Sequence, residues 1–157
     1  MQIKDFKHYI ARLAEELLAE EPDQAVFAYL NDEKQCLLPA QMNNTFVQFG
    51  HDGWQFSPDA MLKEWKVTLS AFHHVSDTAD FPQINRAFAE CEEIIDTILR
   101  RIRKDGLETQ GCHWLRRVGL AGAVAVPVEN VDDALYGYVI SFTIALPWCP
   151  YGPPASS

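Results

Sequence analysis

The sequence predicts an α+β fold in which two amphipathic helices pack on one face of an antiparallel-rich sheet. Two segments repeat apolar residues every three or four positions, the spacing of a helix with one buried face. Other segments alternate apolar and polar residues with a period of two, as strands do. These strands cluster before and after the second helix instead of alternating with helices, which favours separate helical and sheet layers.

The first helix is predicted near the start of the chain, from Ile3 to Glu21. Pro22 cannot continue it, because proline lacks the backbone N–H that a helix interior needs. Four acidic side chains lie on one side of this helix: Glu15, Glu16, Glu20 and Glu21. The apolar stripe on its other side comprises Ile3, Phe6, Ile10, Leu13 and Leu17.

The second helix shows the cleaner helical pattern, with six apolar residues spaced alternately by four and three positions. Asp80 and Pro82 are typical of a helix start, and Gly106 is typical of a helix end. Acidic residues precede a basic final turn, the order that the helix dipole favours. The predicted buried stripe comprises Ile84, Phe88, Cys91, Ile95, Ile98 and Ile102.

Strands are predicted over most of the remaining chain. The strongest alternation runs from Trp65 to His74 and from Tyr136 to Leu146. Residues 118–128 are expected to form a hairpin with that last strand, joined through residues 129–133. Weaker candidates are Val26 to Leu30 and Thr45 to Gly50.

A long hairpin connection, predicted from His51 to Glu64, carries two large aromatic residues, Trp54 and Phe56. A connection of this length must fold over its own sheet or meet a partner. Two interpretations stay open, since such aromatics either cap the core or become buried between subunits. The residues predicted as subunit contacts are Trp54, Phe56, Trp65 and His74.

Length and composition narrow the class of protein. The 157 residues suffice for one domain, predicted over residues 1–150, followed by a flexible proline-rich tail at 151–157. Thirteen Lys and Arg against 22 Asp and Glu give a formal charge of -9, which argues against direct binding of nucleic acid or anionic membranes. The absence of a long apolar run, a signal-peptide pattern and paired cysteines predicts an intracellular protein with reduced thiols.

No residue pattern in the sequence predicts catalysis, a cofactor or a metal site. His73 and His74 are neighbours on a strand, so their side chains point to opposite faces and cannot readily chelate one metal. Cys112 and His113 lack a second short-spaced ligand pair, and Cys91 falls on the apolar stripe of the second helix. Phosphate-loop, dinucleotide and nucleophile-elbow motifs are absent from the sequence. We therefore expect a protein that is not an enzyme.

The order of these elements is similar to that of a known protein family. An amphipathic helix is followed by a hairpin with an extended connection, a helix across the sheet from Asp77 to Lys104, and a final strand pair. The strand Trp-x-Val-x-Leu-x-Ala that starts at Trp65, with a polar turn and helix after it, is the most suggestive part. Over about Met1 to Leu146 the chain resembles the tail terminator family of long-tailed bacteriophages, also called minor tail or tail completion proteins, including prophage-encoded relatives.

The resemblance implies a structural virion protein without a cofactor. Members of this family form hexameric rings that end growth of the tail tube and join the tail to the head. The implied partners are other copies of the chain, the tail tube protein and a head-completion protein. The implied location is the bacterial host cytoplasm during assembly and the virion tail afterwards.

Two other classes of protein remain as alternatives. The first is a small intracellular α+β domain of the immunity type, which binds a protein partner as a monomer or dimer and whose acidic charge suits a basic partner. The second is a small enzyme or metal-binding domain that uses His73, His113 or Cys112.

Overall fold

Two helices and a six-stranded sheet make up the described part of the chain. The computed structural model describes residues 2–18, 25–29, 45–57, 61–108 and 113–148, so the predicted tail at 151–157 lies outside the described residues. The elements in chain order are α1 (Ile3–Leu18), β1 (Ala25–Tyr29), β2 (Thr45–Ser57), β3 (Leu62–His74), α2 (Phe81–Glu108), a 3-10 helix (His113–Arg117), β4 (Val118–Gly119), β5 (Ala125–Asn130) and β6 (Leu135–Pro147).

The sheet has the strand order β1-β2-β3-β6, and both β4 and β5 pair with the remaining edge of β6. Only the edge pair of β1 and β2 is parallel; the other described pairs are antiparallel. The predicted α+β fold with an antiparallel-rich sheet is therefore confirmed.

Helix α1 packs through its apolar stripe onto the sheet. Phe6 and Ile10 are fully buried, and the Phe6 ring meets the edges of Phe49 in β2 and Phe142 in β6 at centroid distances of 5.4 and 6.3 Å. Leu17, the last residue of the predicted stripe, is exposed. Two of the predicted acidic residues, at positions 20 and 21, lie outside the described residues.

Helix α2 begins where the sequence predicts. The Asp80 carboxylate accepts a hydrogen bond from the Gln83 backbone N–H at 3.1 Å, which satisfies one of the free donors of the first turn. Five of the six predicted stripe residues are buried, and Phe88 is partly buried. The helix lies against β3 and β6 on the same face of the sheet as α1.

The predicted end of α2 at Gly106 is wrong by two residues, since the helix continues to Glu108. Gly106 is buried against the 3-10 helix, where an added Cβ would come within 3.1 Å of the backbone of Leu115 and Arg116. The glycine permits this close approach instead of ending the helix. The Arg116 guanidinium then donates a hydrogen bond to the Gly106 carbonyl at 2.7 Å, as basic side chains do near helix C-termini.

Two polar contacts join the helices in an antiparallel arrangement. The Tyr9 hydroxyl donates to the Asp105 carboxylate at 2.6 Å, and Glu16 lies 3.5 Å from the Arg101 guanidinium. As residue numbers rise along α1 they fall along α2, so the start of α1 lies beside the end of α2.

The long connection predicted from His51 to Glu64 is wrong. β2 continues to Ser57 and β3 begins at Leu62, so most of the predicted connection is paired strand. The Asp-Gly pair at 52–53 is a strong turn signal in a sequence, but here it forms a bulge within β2.

The segment predicted as one strand over 118–128 forms two strands on the same edge of β6. A turn separates them, in which the Ala123 N–H donates to the Leu120 carbonyl at 3.1 Å and Gly122 has φ of 73°. The predicted hairpin is present as β5 and β6, and its turn covers 131–134, with Ala134 at φ of 53°.

Candidate functional site

An exposed aromatic surface lies on the far part of the β2–β3 hairpin. We define it by five residues: Trp54, Phe56, Met61, Trp65 and Trp148. Trp54 is 49% exposed, Met61 39% and Phe56 37%, whereas Trp65 and Trp148 are partly buried. The Trp54 ring lies 6.3 Å from that of Trp65 and 6.4 Å from that of Phe56, and Phe56 meets the edge of Trp148 at 4.7 Å. The four aromatic rings therefore form one contiguous apolar patch.

A β-bulge determines the face on which these aromatics lie. The pairing of β2 with β3 shifts between His51 and Trp54, where Asp52 and Gly53 together oppose a single position of β3. Regular alternation would place residue 54 on the face opposite His51, and the extra residue returns Trp54 to the helix-covered face, opposite Trp65. Gly53 adopts φ of 108°, a conformation that favours glycine.

Trp148 joins the aromatic surface because of the register between β3 and β6. Leu62 pairs with Pro147, which brings the next residue of the chain beside the start of β3. The Trp148 backbone N–H donates to the Met61 carbonyl at 2.8 Å and fixes this position. Met61 and Trp148 were not among the predicted contact residues, and this pairing register was the signal that would have identified them.

A charged side chain and a histidine lie beside the aromatic surface. The Lys63 ammonium lies 4.4 Å from the centroid of the Trp54 ring, a cation–π contact. Asp52 and Glu64 are exposed on the same hairpin, but Glu64 alternates with Trp65 and therefore points to the other face of the sheet. At the inner end of the patch the His51 ring lies 4.9 Å from that of Trp65, and burial lowers the pKa of His51 against the opposing effect of Asp52. A cluster of aromatic side chains is typical of the centre of a protein interface.

His74 does not belong to the aromatic surface. It pairs with Leu135 at the opposite end of β3, and its side chain lies on the face away from the helices. Three of the four predicted contact residues, Trp54, Phe56 and Trp65, are thus brought together, and the fourth is distant from them.

His73 lies on the helix-covered face, as the alternation with His74 predicts. Its Nδ1 is 2.6 Å from the Thr45 hydroxyl and 3.7 Å from the Glu90 carboxylate of α2. Burial lowers the pKa of His73, Glu90 acts in the opposite direction, and His74 lowers the pKa further. His73 therefore links β2, β3 and α2.

Cys91 is a core residue. The thiol is fully buried and donates to the Tyr136 carbonyl at 3.6 Å, and burial raises its pKa to about 12. A protonated, buried thiol is a poor nucleophile. Cys112 and the side chain of His113 lie outside the described residues. Across the described ranges, no three His, Cys, Asp or Glu side chains are grouped so that they could hold a metal ion.

Comparisons with known proteins give no assignment for this chain. No protein-family model matches it, and no curated protein matches it in sequence. Within the described residues, neither α1 nor α2 is both long and apolar enough to cross a membrane.

Proposed function

We propose that this chain is a structural protein of a phage or prophage tail: a tail terminator that forms a ring of identical copies, ends growth of the tail tube and joins the tail to the head. The aromatic surface carries the proposal. Soluble monomers rarely expose several large apolar side chains in one patch, and Trp, Phe and Met are enriched in interface centres.

The length of the hairpin favours a second copy of the chain as the partner that covers this surface. β2 and β3 contain 13 residues each, about twice the usual strand length. At a rise of about 3.3 Å per residue, each strand is roughly 43 Å long. A hairpin of this length extends the sheet away from the helices and presents its aromatic end to a neighbouring subunit.

The element order supports the tail assignment within the wider class of ring-forming proteins. α1, the β2–β3 hairpin, α2 lying across the sheet and the final β5–β6 hairpin follow the order of the tail terminator family, although most of the extended hairpin connection included in the resemblance is paired strand here. In that arrangement the ring closes on the end of a tail tube, and assembly rather than turnover is the activity.

Electron microscopy of tail tubes tests the proposed function. Tubes assembled from the tail tube protein of the same phage or prophage are incubated with the full chain, and their ends and lengths are recorded. We expect ring-shaped density at the tube ends and an arrest of elongation. Tubes that elongate at an unchanged rate with bare ends would overturn the proposal.

A matched pair of variants tests whether capping of the tubes depends on the aromatic surface. Trp54→Ala is expected to reduce the fraction of capped tubes, whereas Val126→Ala, which removes exposed apolar atoms from β5, is expected to cap normally. A chain that binds other proteins as a monomer, as in the immunity-type alternative, would leave tubes uncapped with either variant.

A further inference from the structure

The charges of this acidic chain are segregated along α2. Six of its 13 Lys and Arg residues lie between positions 100 and 117, although the whole chain carries a formal charge of -9. We call this group the basic end: Arg100, Arg101, Arg103, Lys104, Arg116 and Arg117. The 3-10 helix brings the last two of these residues to the C-terminus of α2.

Three of the six residues of the basic end form ion pairs or hydrogen bonds within the subunit, and we call these engaged. Arg100 pairs with Asp96 at 2.6 Å, Arg101 contacts carboxylates of both helices, and Arg116 donates to carbonyls at the end of α2. The other half, Arg103, Lys104 and Arg117, makes no ion pair with any residue that the structure describes. Arg103 and Arg117 are both exposed, so their charges are available to a partner.

An acidic end lies at the other terminus of α2. We define it by five residues: Asp77, Asp80, Glu129, Asp132 and Asp133. The β5–β6 turn and the start of α2 meet here, because the Val75 N–H donates to the Ala134 carbonyl at 2.8 Å. The segments 75–85 and 129–134 contain no Lys or Arg.

The acidic end also contains charged side chains that are not paired with a described residue of the same subunit. Asp80 caps α2, Asp77 accepts the Ala79 N–H, and Asp133 accepts from the Asn130 side chain. Glu129 and Asp132 are exposed and make neither a hydrogen bond nor an ion pair with a described residue. With 28 residues in α2, the two ends are separated by about 42 Å.

We propose that copies of this chain associate head to tail, with the basic end of one subunit against the acidic end of the next. A contact between two different surfaces of the same chain is heterologous, and such contacts repeat around a closed ring. The proposal rests on the proposed ring function and adds the polarity of the subunit contact. Opposite charges at the two ends also prevent two like ends from meeting, which fixes that polarity.

Charge reversal at four of the five unengaged residues tests this contact without disturbing caps or internal ion pairs. Arg103→Glu/Arg117→Glu reverses the sign of the unengaged charge at the basic end, and Glu129→Lys/Asp132→Lys reverses that at the acidic end. The fourfold variant that combines all these changes exchanges the signs of the unengaged charges while keeping the wild-type net charge. Lys66→Glu/Arg12→Glu, at exposed positions elsewhere, is the control for net charge.

Sedimentation velocity at about 0.05 M salt, where charges act over more than about 10 Å, measures self-association of each full-length chain. We expect each twofold end reversal to raise the concentration for half-assembly at least about tenfold, and the fourfold variant to return within about threefold of wild type. Circular dichroism of each variant checks that it folds.

The outcomes separate this inference from the proposed function. Recovery in the fourfold variant supports head-to-tail charge pairing, and an equal loss in the control variant would overturn it. Normal assembly of both twofold variants, or failure of the fourfold variant to recover, would overturn the charge pairing while leaving ring formation through the aromatic surface intact. A wild-type chain that stays monomeric at every concentration would overturn both proposals.

Discussion

Replacing Trp54 with alanine is expected to weaken self-association strongly. A tryptophan side chain presents about 200 Å² of surface. Because Trp54 is 49% exposed, about 100 Å² remains for a neighbouring subunit to cover. At about 25 cal/mol per Å², this burial stabilises each interface by roughly 2.5 kcal/mol. The Trp54→Ala variant should therefore bind its neighbour about 60-fold more weakly.

The same substitution should affect the stability of the folded subunit much less than it affects self-association. Within the subunit the Trp54 ring contacts the rings of Trp65 and Phe56 and the Lys63 ammonium. Losing these partly exposed contacts is expected to lower the free energy of unfolding by about 1 kcal/mol. Trp54→Phe keeps an aromatic ring and should retain more than half of the association energy.

A dilution series followed by light scattering measures association, and urea unfolding measures subunit stability. Val126→Ala is the control, since Val126 is 53% exposed on β5 and lies outside the aromatic surface. A Trp54→Ala chain that associates within about threefold of wild type would refute the reasoning, because a covered tryptophan is expected to contribute well over 1 kcal/mol.

Three further predictions address the fold that supports this surface. Deleting Gly53 removes the bulge but leaves Trp54 two strand positions after His51, so the β2 aromatics should stay on the helix-covered face and association should stay within about threefold of wild type; loss of association would contradict this. In Gly137→Ala the added Cβ would clash with the backbone of β3. This clash should lower the free energy of unfolding, measured by urea titration, by about 3 kcal/mol. A loss below about 1 kcal/mol would contradict that packing. The Cys91 thiol, with a pKa of about 12, should stay protonated and resist iodoacetamide at about pH 8 in the folded chain but react in urea. Peptide mapping measures this, and rapid labelling of the folded chain would contradict it.

Helix α2 could be predicted almost completely because its signals are local. Its apolar stripe has a single period, and Asp80 caps the first turn as the sequence indicates. The end of the helix could not be predicted, since Gly106 is used for close contact with Leu115, a residue of a separate element. A glycine is compatible with both uses, and only the tertiary contact distinguishes them.

The hairpin shows the limit of local signals most clearly. Asp52 and Gly53 form a typical hairpin turn in many proteins, and here the pairing of β2 with β3 makes them a bulge. Long-range pairing over both strands outweighs the local preference. The connection predicted from His51 to Glu64 consequently consists mostly of paired strand.

The candidate site could be predicted in part. Trp54 and Phe56 are predicted as contact residues because they fall in the predicted connection from His51 to Glu64, and they are exposed although they lie within β2. His74 could have been excluded by alternation alone, since it lies an odd number of positions from Trp65 on one strand and so faces the other way. Trp148 depends on the register of β3 with β6, which no local pattern specifies.

Native mass spectrometry of the full-length chain at low salt measures directly whether copies of the chain assemble into a closed ring. We expect one dominant species of defined copy number, near six times the 17.8 kDa subunit mass, that loses its dominance in Trp54→Ala. A monomer at every concentration, or an open series of masses without a preferred copy number, would contradict it.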